Sequence, residues 1–267
     1  EFKAEHVIYN HHAKFPKVDR YVNQGRLNRY RNSILVEMPV VRHTTWHTEI
    51  VKTTHDVALM QKVVKDRWHV FEERPLKDAA ELFSVMRKVV NSSESRIEAV
   101  SNLLTKHRRL IVFYNFDYEL EMLRQAFLPL PNGGDVSTST VEESGRTSKV
   151  EEDSGTSSFV VAEWNGHKHE PIPTGDDWIY LVQYTAGSEG WNCVLTDAMC
   201  FFSLTYSYKQ FHQSYGRIDR RNTPFTDLYY YILMSDSAID KAIWKALRSK
   251  RSFHESAFRV GFERKAA

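Results

Sequence analysis

Two hydrophobic rhythms alternate along most of this chain. Ala79, Leu82, Phe83, Met86, Val89 and Val90 recur every three to four residues, which predicts a helix beginning just after Pro75. Asn91-Ser92-Ser93 breaks that helix and can cap the next, marked by Ile97, Val100, Leu103 and Leu104. Leu110-Ile111-Val112-Phe113-Tyr114 is instead a continuous apolar run, the pattern of a strand buried on both faces of a parallel sheet. Asn115-Phe116-Asp117 then leads into a helix carrying Leu120, Leu123 and Phe127. Four more strand-like runs follow: 159–162, 179–182, 198–202 and 228–233. A final helix after Ser235-Asp236 places Ile239, Ala242, Ile243, Ala246 and Leu247 on one face. Buried strands separated by helices predict a parallel α/β sheet flanked by helices.

The flanking regions read differently. Residues 129–158 are rich in Gly, Ser, Thr, Glu and Asp and almost devoid of apolar side chains, so a flexible surface insertion is expected there. Before Pro75 only two short runs look like strands, Ile34-Leu35-Val36 and Thr48-Glu49-Ile50-Val51. We therefore divide the chain into 1–74, a region preceding the main domain; 75–255, the domain itself; and a tail, 256–267.

Composition narrows the function classes. Hydrophobic residues make up 42% of the 267, enough for a full core. Lys and Arg total 36 against 34 Asp and Glu, so a histone-like or polyanionic chain is excluded, although local basic patches remain open. Cys193 and Cys200 are the only cysteines, too few for a disulfide scaffold or a four-cysteine zinc site and in keeping with a reducing cytosol. No apolar stretch approaches the roughly 18–20 residues of a membrane helix. With no initiator Met and no signal-peptide pattern, the expectation is a fragment of a longer, soluble, cytoplasmic protein.

Two segments carry candidate chemistry. Gln183-Tyr184-Thr185-Ala186-Gly187-Ser188-Glu189-Gly190-Trp191-Asn192 begins where an apolar strand ends, the place where open α/β sheets bind ligands. Gly187 and Gly190 would let backbone approach a ligand, and Thr185, Ser188 and Asn192 offer small hydrogen-bonding groups to phosphate or ribose oxygens. A plain strand–helix turn explains the same residues. The second segment is Gln213-Ser214-Tyr215-Gly216-Arg217-Ile218-Asp219-Arg220-Arg221, preceded by Tyr208, Phe211 and His212 in a predicted helix. If that helix continues, Gln213, Arg217 and Arg220 share one face, with Gly216 leaving room beside them. Two guanidiniums and an amide on one face suit a phosphate, whereas a solvated basic helix end is the plainer alternative.

Taken together, the segments resemble motifs V and VI of superfamily-2 helicases and translocases. Gln213, Gly216, Arg217 and Arg220 match Gln-x-x-Gly-Arg-x-x-Arg, and Ala186 to Asn192 is similar to the Ala-Gly-x-x-Gly-x-Asn of Swi/Snf-related and phage-type members. Leu110 to Phe116 resembles motif IV, the first strand of the second RecA-like lobe. The likeness spans roughly 75–250. It implies a RecA-like second lobe without a P-loop of its own, working in an ATP-dependent motor of phage or bacterial type. By the same resemblance, Arg217 and Arg220 form an arginine-finger pair at the γ-phosphate and Gln213 orients the site. Gly190 and Asn192 lie near the ribose, with Gly187, Glu189 and Gly216 completing the nucleotide side. Asn115, Thr185 and Ser188 contact the phosphates of a nucleic acid strand, with DNA expected and RNA left open. Tyr184 stands where many relatives carry Thr, a departure at that contact.

The sequence contains no Gly-x-x-x-x-Gly-Lys-Ser/Thr and no Asp-Glu-x-His box. ATP and Mg²⁺ would then be held mainly by an N-terminal lobe of the same protein, with residues 1–74 as the end of that lobe and the linker. The piece in hand is expected to be inactive alone. The alternatives are a non-catalytic RecA-like module that binds nucleic acid or protein, and the motor part of a restriction system. No metal site is expected from His6, His11 and His12 or from His43 and His47, since no further ligand follows at a suggestive spacing and Thr44 and Thr45 favour strand over helix, nor from His167 and His169, which read as loop histidines in a turn. Lys241, Lys245, Arg248, Lys250 and Arg251 form a basic face, either solvated or attracting phosphates. Trp178, Trp191 and Tyr206 are core or base-stacking aromatics.

Overall fold

The structure is a computed structural model that describes residues 2–10, 17–35, 42–128, 159–187, 190–255 and 258. The expected insertion 129–158, most of the tail, Ser188 and Glu189 lie outside the described residues. The chain divides into two compact units, Glu1–Arg42 and His43–Ala267.

In the first unit, α1 (Phe2–His6) leads into an antiparallel pair, β1 (Val7–Asn10) and β2 (Lys17–Tyr21), followed by α2 (Gln24–Ile34). Of the strand expected at 34–36, Ile34 is instead the last residue of α2 and Leu35 its C-cap, while Val36 lies outside the described residues. Leu27, Tyr30 and Ile34 sit three and four residues apart, so the helical period wins over the short apolar run.

The second unit opens with β3 (Thr45–Thr53), α3 (Val57–Lys65) and a small antiparallel pair, β4 (Trp68–His69) and β5 (Arg74–Pro75). Then come α4 (Ala79–Asn91), α5 (Glu94–Leu104), β6 (Arg109–Tyr114) and α6 (Asp117–Phe127). After the segment outside the described residues follow β7 (Val160–Trp164), β8 (Trp178–Gln183), α7 (Tyr184–Gly187), β9 (Ala198–Phe201), α8 (Tyr208–Tyr215), β10 (Asp227–Ser235) and α9 (Ala238–Arg248). Six strands form one parallel sheet in the order β3-β10-β9-β6-β8-β7.

Alternation along each strand sends side chains to two cores. Ile111, Phe113, Tyr180, Val182, Met199, Phe201, Tyr230 and Ile232 share one core with residues of α3, α4, α8 and α9. Leu110, Val112, Tyr114, Ile179, Leu181, Cys200, Tyr231 and Leu233 share the other with residues of α5 and α6. Helix starts follow local sequence: Asp56, Asp78, Ser207 and Ser237 each accept a hydrogen bond from the backbone N–H three residues on.

The boundary expected at Pro75 is not a break in packing. β3 pairs with β10 along its whole length, from Thr45 opposite Asp227 to Thr53 opposite Ser235, and α3 packs on α4. The unit therefore begins at His43. As the edge of the sheet, β3 is exposed over most of its residues and so lacks the apolar run that marks its neighbours.

Two buried polar clusters tie the carboxyl ends of the strands together. Arg96, with no solvent exposure, donates from Nε to Val90 O at 3.2 Å, from Nη1 to the carbonyls of Phe202 and Leu233, and from Nη2 to Asp240 Oδ2 at 2.8 Å. Glu119, equally buried, accepts from Asn91 Nδ2 at 2.7 Å, from Ser203 Oγ at 2.8 Å and from Asn115 N at 2.8 Å. Among the described residues, no helix is long and apolar enough to cross a membrane.

Candidate functional site

β8 ends at Gln183 and the chain turns at once into the four-residue α7. Tyr184 points into the core, where its hydroxyl donates to Ser203 O at 3.2 Å and its ring lies against Phe201 and Phe113. Burial pushes its phenol pKa well above the ordinary range. Thr185, one residue on, is exposed.

The two glycines of this segment have different reasons to be glycine. A Cβ on Gly187 would fall 2.0 Å from Val182 Cγ1 and 3.0 Å from Trp191 Nε1, so the residue is small to admit internal packing rather than to let a ligand approach. Gly190 has φ +91°, and nothing lies within 4 Å of where its Cβ would stand. That backbone needs glycine and faces open space. Trp191 is buried against Phe113 and Tyr180, a wall of the core rather than a free stacking surface. Asn192 is exposed.

The second segment departs from the single helical face expected of it. α8 stops at Tyr215, and the next turn tightens: Gly216 N donates to Gln213 O at 3.1 Å and Arg217 N to Ser214 O at 3.0 Å. Arg217 and Arg220 thus stand on a loop beyond the helix, anchored between them by Ile218, which is fully buried. Tyr215 closes the helix from inside the core, and burial raises its phenol to about 12.

The loop meets the segment after β8 directly. Arg217 Nη1 donates to Trp191 O at 2.7 Å, and Cys193 N donates to Arg217 O at 2.9 Å. The meeting point is the stretch that returns toward β9, not the tip of β8. Gln213, Arg217 and Arg220 are each half-buried. Gln213 Oε1 and Arg220 Nε are buried with no hydrogen-bond partner among the described residues. Unmatched buried polar atoms also occur among the described residues at core positions such as Tyr114 and Trp178, so these two are distinguished by their place beside the arginine loop. Gly216 keeps ordinary backbone angles and would bring a Cβ near only Gln213 O, at 3.5 Å, leaving space beside the loop.

Asn115 is placed apart from this loop, at the end of β6. Its Nδ2 donates to Ser203 Oγ at 2.7 Å, and its backbone N–H is held by Glu119, so it belongs to the buried cluster around that carboxylate. The positions of Ser188 and Glu189 lie outside the described residues.

Several of the described histidines make contacts within the fold. The chain enters strand at Thr45: His43 Nε2 reaches Thr223 O at 3.1 Å from just before β3, and His47 Nε2 reaches Asp227 Oδ1 at 2.7 Å across the β3–β10 pairing. His169 stacks on Trp164 at 4.3 Å. His69, Glu72 and Glu81 bring ligand atoms within 4.8 Å of one another. Arg74 already bridges both carboxylates, with Nε to Glu72 Oε2 at 2.8 Å and Nη1 to Glu81 Oε2 at 3.1 Å, and so supplies the positive charge there. That guanidinium holds the Glu81 carboxyl down at about 2.

No protein family's sequence profile matches the chain, and no curated protein is similar to it in sequence. Among solved structures, the C-terminal part of the Fun30 ATPase domain aligns with a TM-score of 0.56 at 12% identity, over 81% of this chain and 95% of that one. The fold is RecA-like. At this identity the likeness concerns architecture, and the RecA-like lobe is the six-stranded parallel sheet with helices on both faces. Sequence reasoning missed Arg96 and Glu119 as residues of the lobe's interior. A signal was present, because Arg96 precedes Val100 and Leu103 on an apolar helix face and Glu119 precedes Leu123 by one turn.

Proposed function

We propose that this chain supplies the second lobe of an ATP-dependent nucleic acid motor, a helicase or translocase, with DNA as the expected strand. The observation that carries the reading is the joined pair of loops: Arg217 is bonded to Trp191 O, while the neighbouring Gln213 Oε1 and Arg220 Nε stay buried and open. In this reading Arg217 and Arg220 neutralise charge developing on the γ-phosphate of ATP held by a first lobe. Charge stabilisation of that kind is worth about 10³–10⁵ in rate. Gln213 hydrogen-bonds across the cleft. Gly190, whose backbone faces open space, and exposed Asn192 lie toward the ribose, and exposed Thr185 contacts a strand phosphate. Asn115 acts behind that surface, holding the loop after β6 through Ser203.

The residues fit one side of a nucleotide site. They offer cations and an amide but no loop that wraps a triphosphate, so ATP and its Mg²⁺ would be held chiefly by the first lobe. Residues 1–42 are proposed as the end of that lobe and the linker. The test is nucleic-acid-stimulated ATP hydrolysis by the full-length protein. Replacing Arg217 or Arg220 by Ala is expected to lower the rate about 10³-fold. An unchanged rate rejects the finger roles. A full-length protein that binds nucleic acid without hydrolysing ATP would instead be a binding module.

A further inference from the structure

The loop carrying Arg217 and Arg220 is gripped from a second side by residues that belong to none of the motifs. His43 Nε2 lies 3.1 Å from Thr223 O, and since a carbonyl only accepts, this nitrogen carries the hydrogen. Thr44 Oγ1 donates to Asp219 Oδ1 at 2.8 Å, and Asp219 lies between the two arginines in sequence. Thr45 N donates to Thr226 O at 2.7 Å. The Trp46 ring stacks on Tyr215 with centroids 5.6 Å apart. Four consecutive residues, the first four of the second unit, therefore bracket the whole segment from the end of α8 to the start of β10. From the other side the same loop is held by Trp191 and Cys193.

A segment outside helix and strand opens easily unless side chains tie it down. Long arginine side chains magnify any displacement of their backbone, and a misplacement of about 1 Å in a catalytic constellation costs roughly 10²-fold in rate. A hydroxyl bonded to a carboxylate is among the stronger ties available. We propose that Thr44 and His43 are positioning residues, fixing the 216–223 loop from the β3 side and so setting where Arg217 and Arg220 stand. The catalytic consequence rests on the motor reading above; the clasp itself does not.

The experiment has two arms. In the 267-residue chain, amide hydrogen exchange is measured across 216–223 for wild type, Thr44→Val and Thr44→Ser. Thr44→Val is expected to speed exchange in that loop about tenfold while leaving β8 and β9 unchanged, and Thr44→Ser to restore it. His43→Leu, a second variant should Thr44→Val fail to fold, is expected to open the same loop from Thr223. Exchange that stays at the wild-type rate, that rises equally throughout the sheet, or that Thr44→Ser does not restore overturns the clasp. In the full-length protein, Thr44→Val is expected to lower kcat for stimulated ATP hydrolysis about tenfold or more with KM for ATP little changed, and Thr44→Ser to recover it. An unchanged kcat, with loop exchange raised and Arg217→Ala damaging, overturns the positioning role. If Arg217→Ala and Arg220→Ala are themselves harmless, the motor reading fails, and the exchange arm alone decides the clasp.

Discussion

Arg96 and Arg220 place the same side chain in the same lobe under opposite conditions. Arg96 is wholly buried, and Val90, Phe202, Leu233 and Asp240 accept from its three guanidinium nitrogens. Arg220 is half-buried on an irregular loop, with its Nε open. A buried guanidinium with every nitrogen matched holds the structure around it, here binding α5 to the ends of β9 and β10 and to α9. A donor left unmatched inside a protein carries a desolvation cost until water or another partner meets it. On the proposed reading, the contrast is between an arginine that holds the fold and one that serves the site.

That contrast makes its largest prediction on rate. Arg220→Ala is expected to lower stimulated ATP hydrolysis by the full-length protein about 10³-fold while changing the unfolding free energy of the lobe, from urea titration, by no more than about 0.5 kcal/mol. A large loss of stability with activity retained would reverse the two roles. Arg96→Ala should do the opposite. It leaves Asp240 buried without its cation, and urea unfolding should show a loss of about 3–5 kcal/mol. A loss below about 1 kcal/mol would mean the pair is not holding α5 to α9.

The two glycines sharpen the comparison on the other segment. Gly187→Ala forces a methyl against Val182 and Trp191, and should destabilise the lobe by about 1–3 kcal/mol in the same denaturation assay. Gly190→Ala meets no neighbour, so only its positive φ opposes it, at about 1 kcal/mol. A loss below about 1 kcal/mol for Gly187→Ala would contradict the packing reason given for Gly187.

The smallest effect concerns pH. Arg74 lowers the Glu81 carboxyl from an ordinary 4.5 to about 2. A depressed carboxylate stabilises the fold fully above its unfolded value and loses that contribution as pH falls from about 4.5 toward 2. Melting temperature measured from pH 6 to pH 2.5 should therefore fall more for wild type than for Arg74→Met, the two curves converging in acid. Parallel curves would show that the pair contributes nothing measurable, as many exposed pairs do.

Much of the lobe could be read from hydrophobic spacing. The runs that become β6, β8, β9 and β10 are continuous because those strands lie inside the sheet, with neighbours on both sides. The helical faces of α4, α5 and α9 are visible for the same reason, since each buries one stripe. β3 escaped notice as part of this domain because an exposed edge strand needs no apolar face. The arginine loop differs in shape from the single helical face its spacing suggests: α8 stops at Tyr215, and Ile218 is buried in the core from the loop beyond it.

The residues themselves determined the alternation of strands and helices, the parallel sheet that follows from it, and the presence of an amide and two guanidiniums close together in the chain. Those properties are local, fixed by side-chain spacing over a few turns. Which donors are matched and which are left open was decided only by the tertiary structure. So was the grip of His43 and Thr44 on a loop some 175–180 residues away. A hydrogen bond depends on where both partners finish in space, and for partners so far apart in the chain that is set by the packing of the sheet between them.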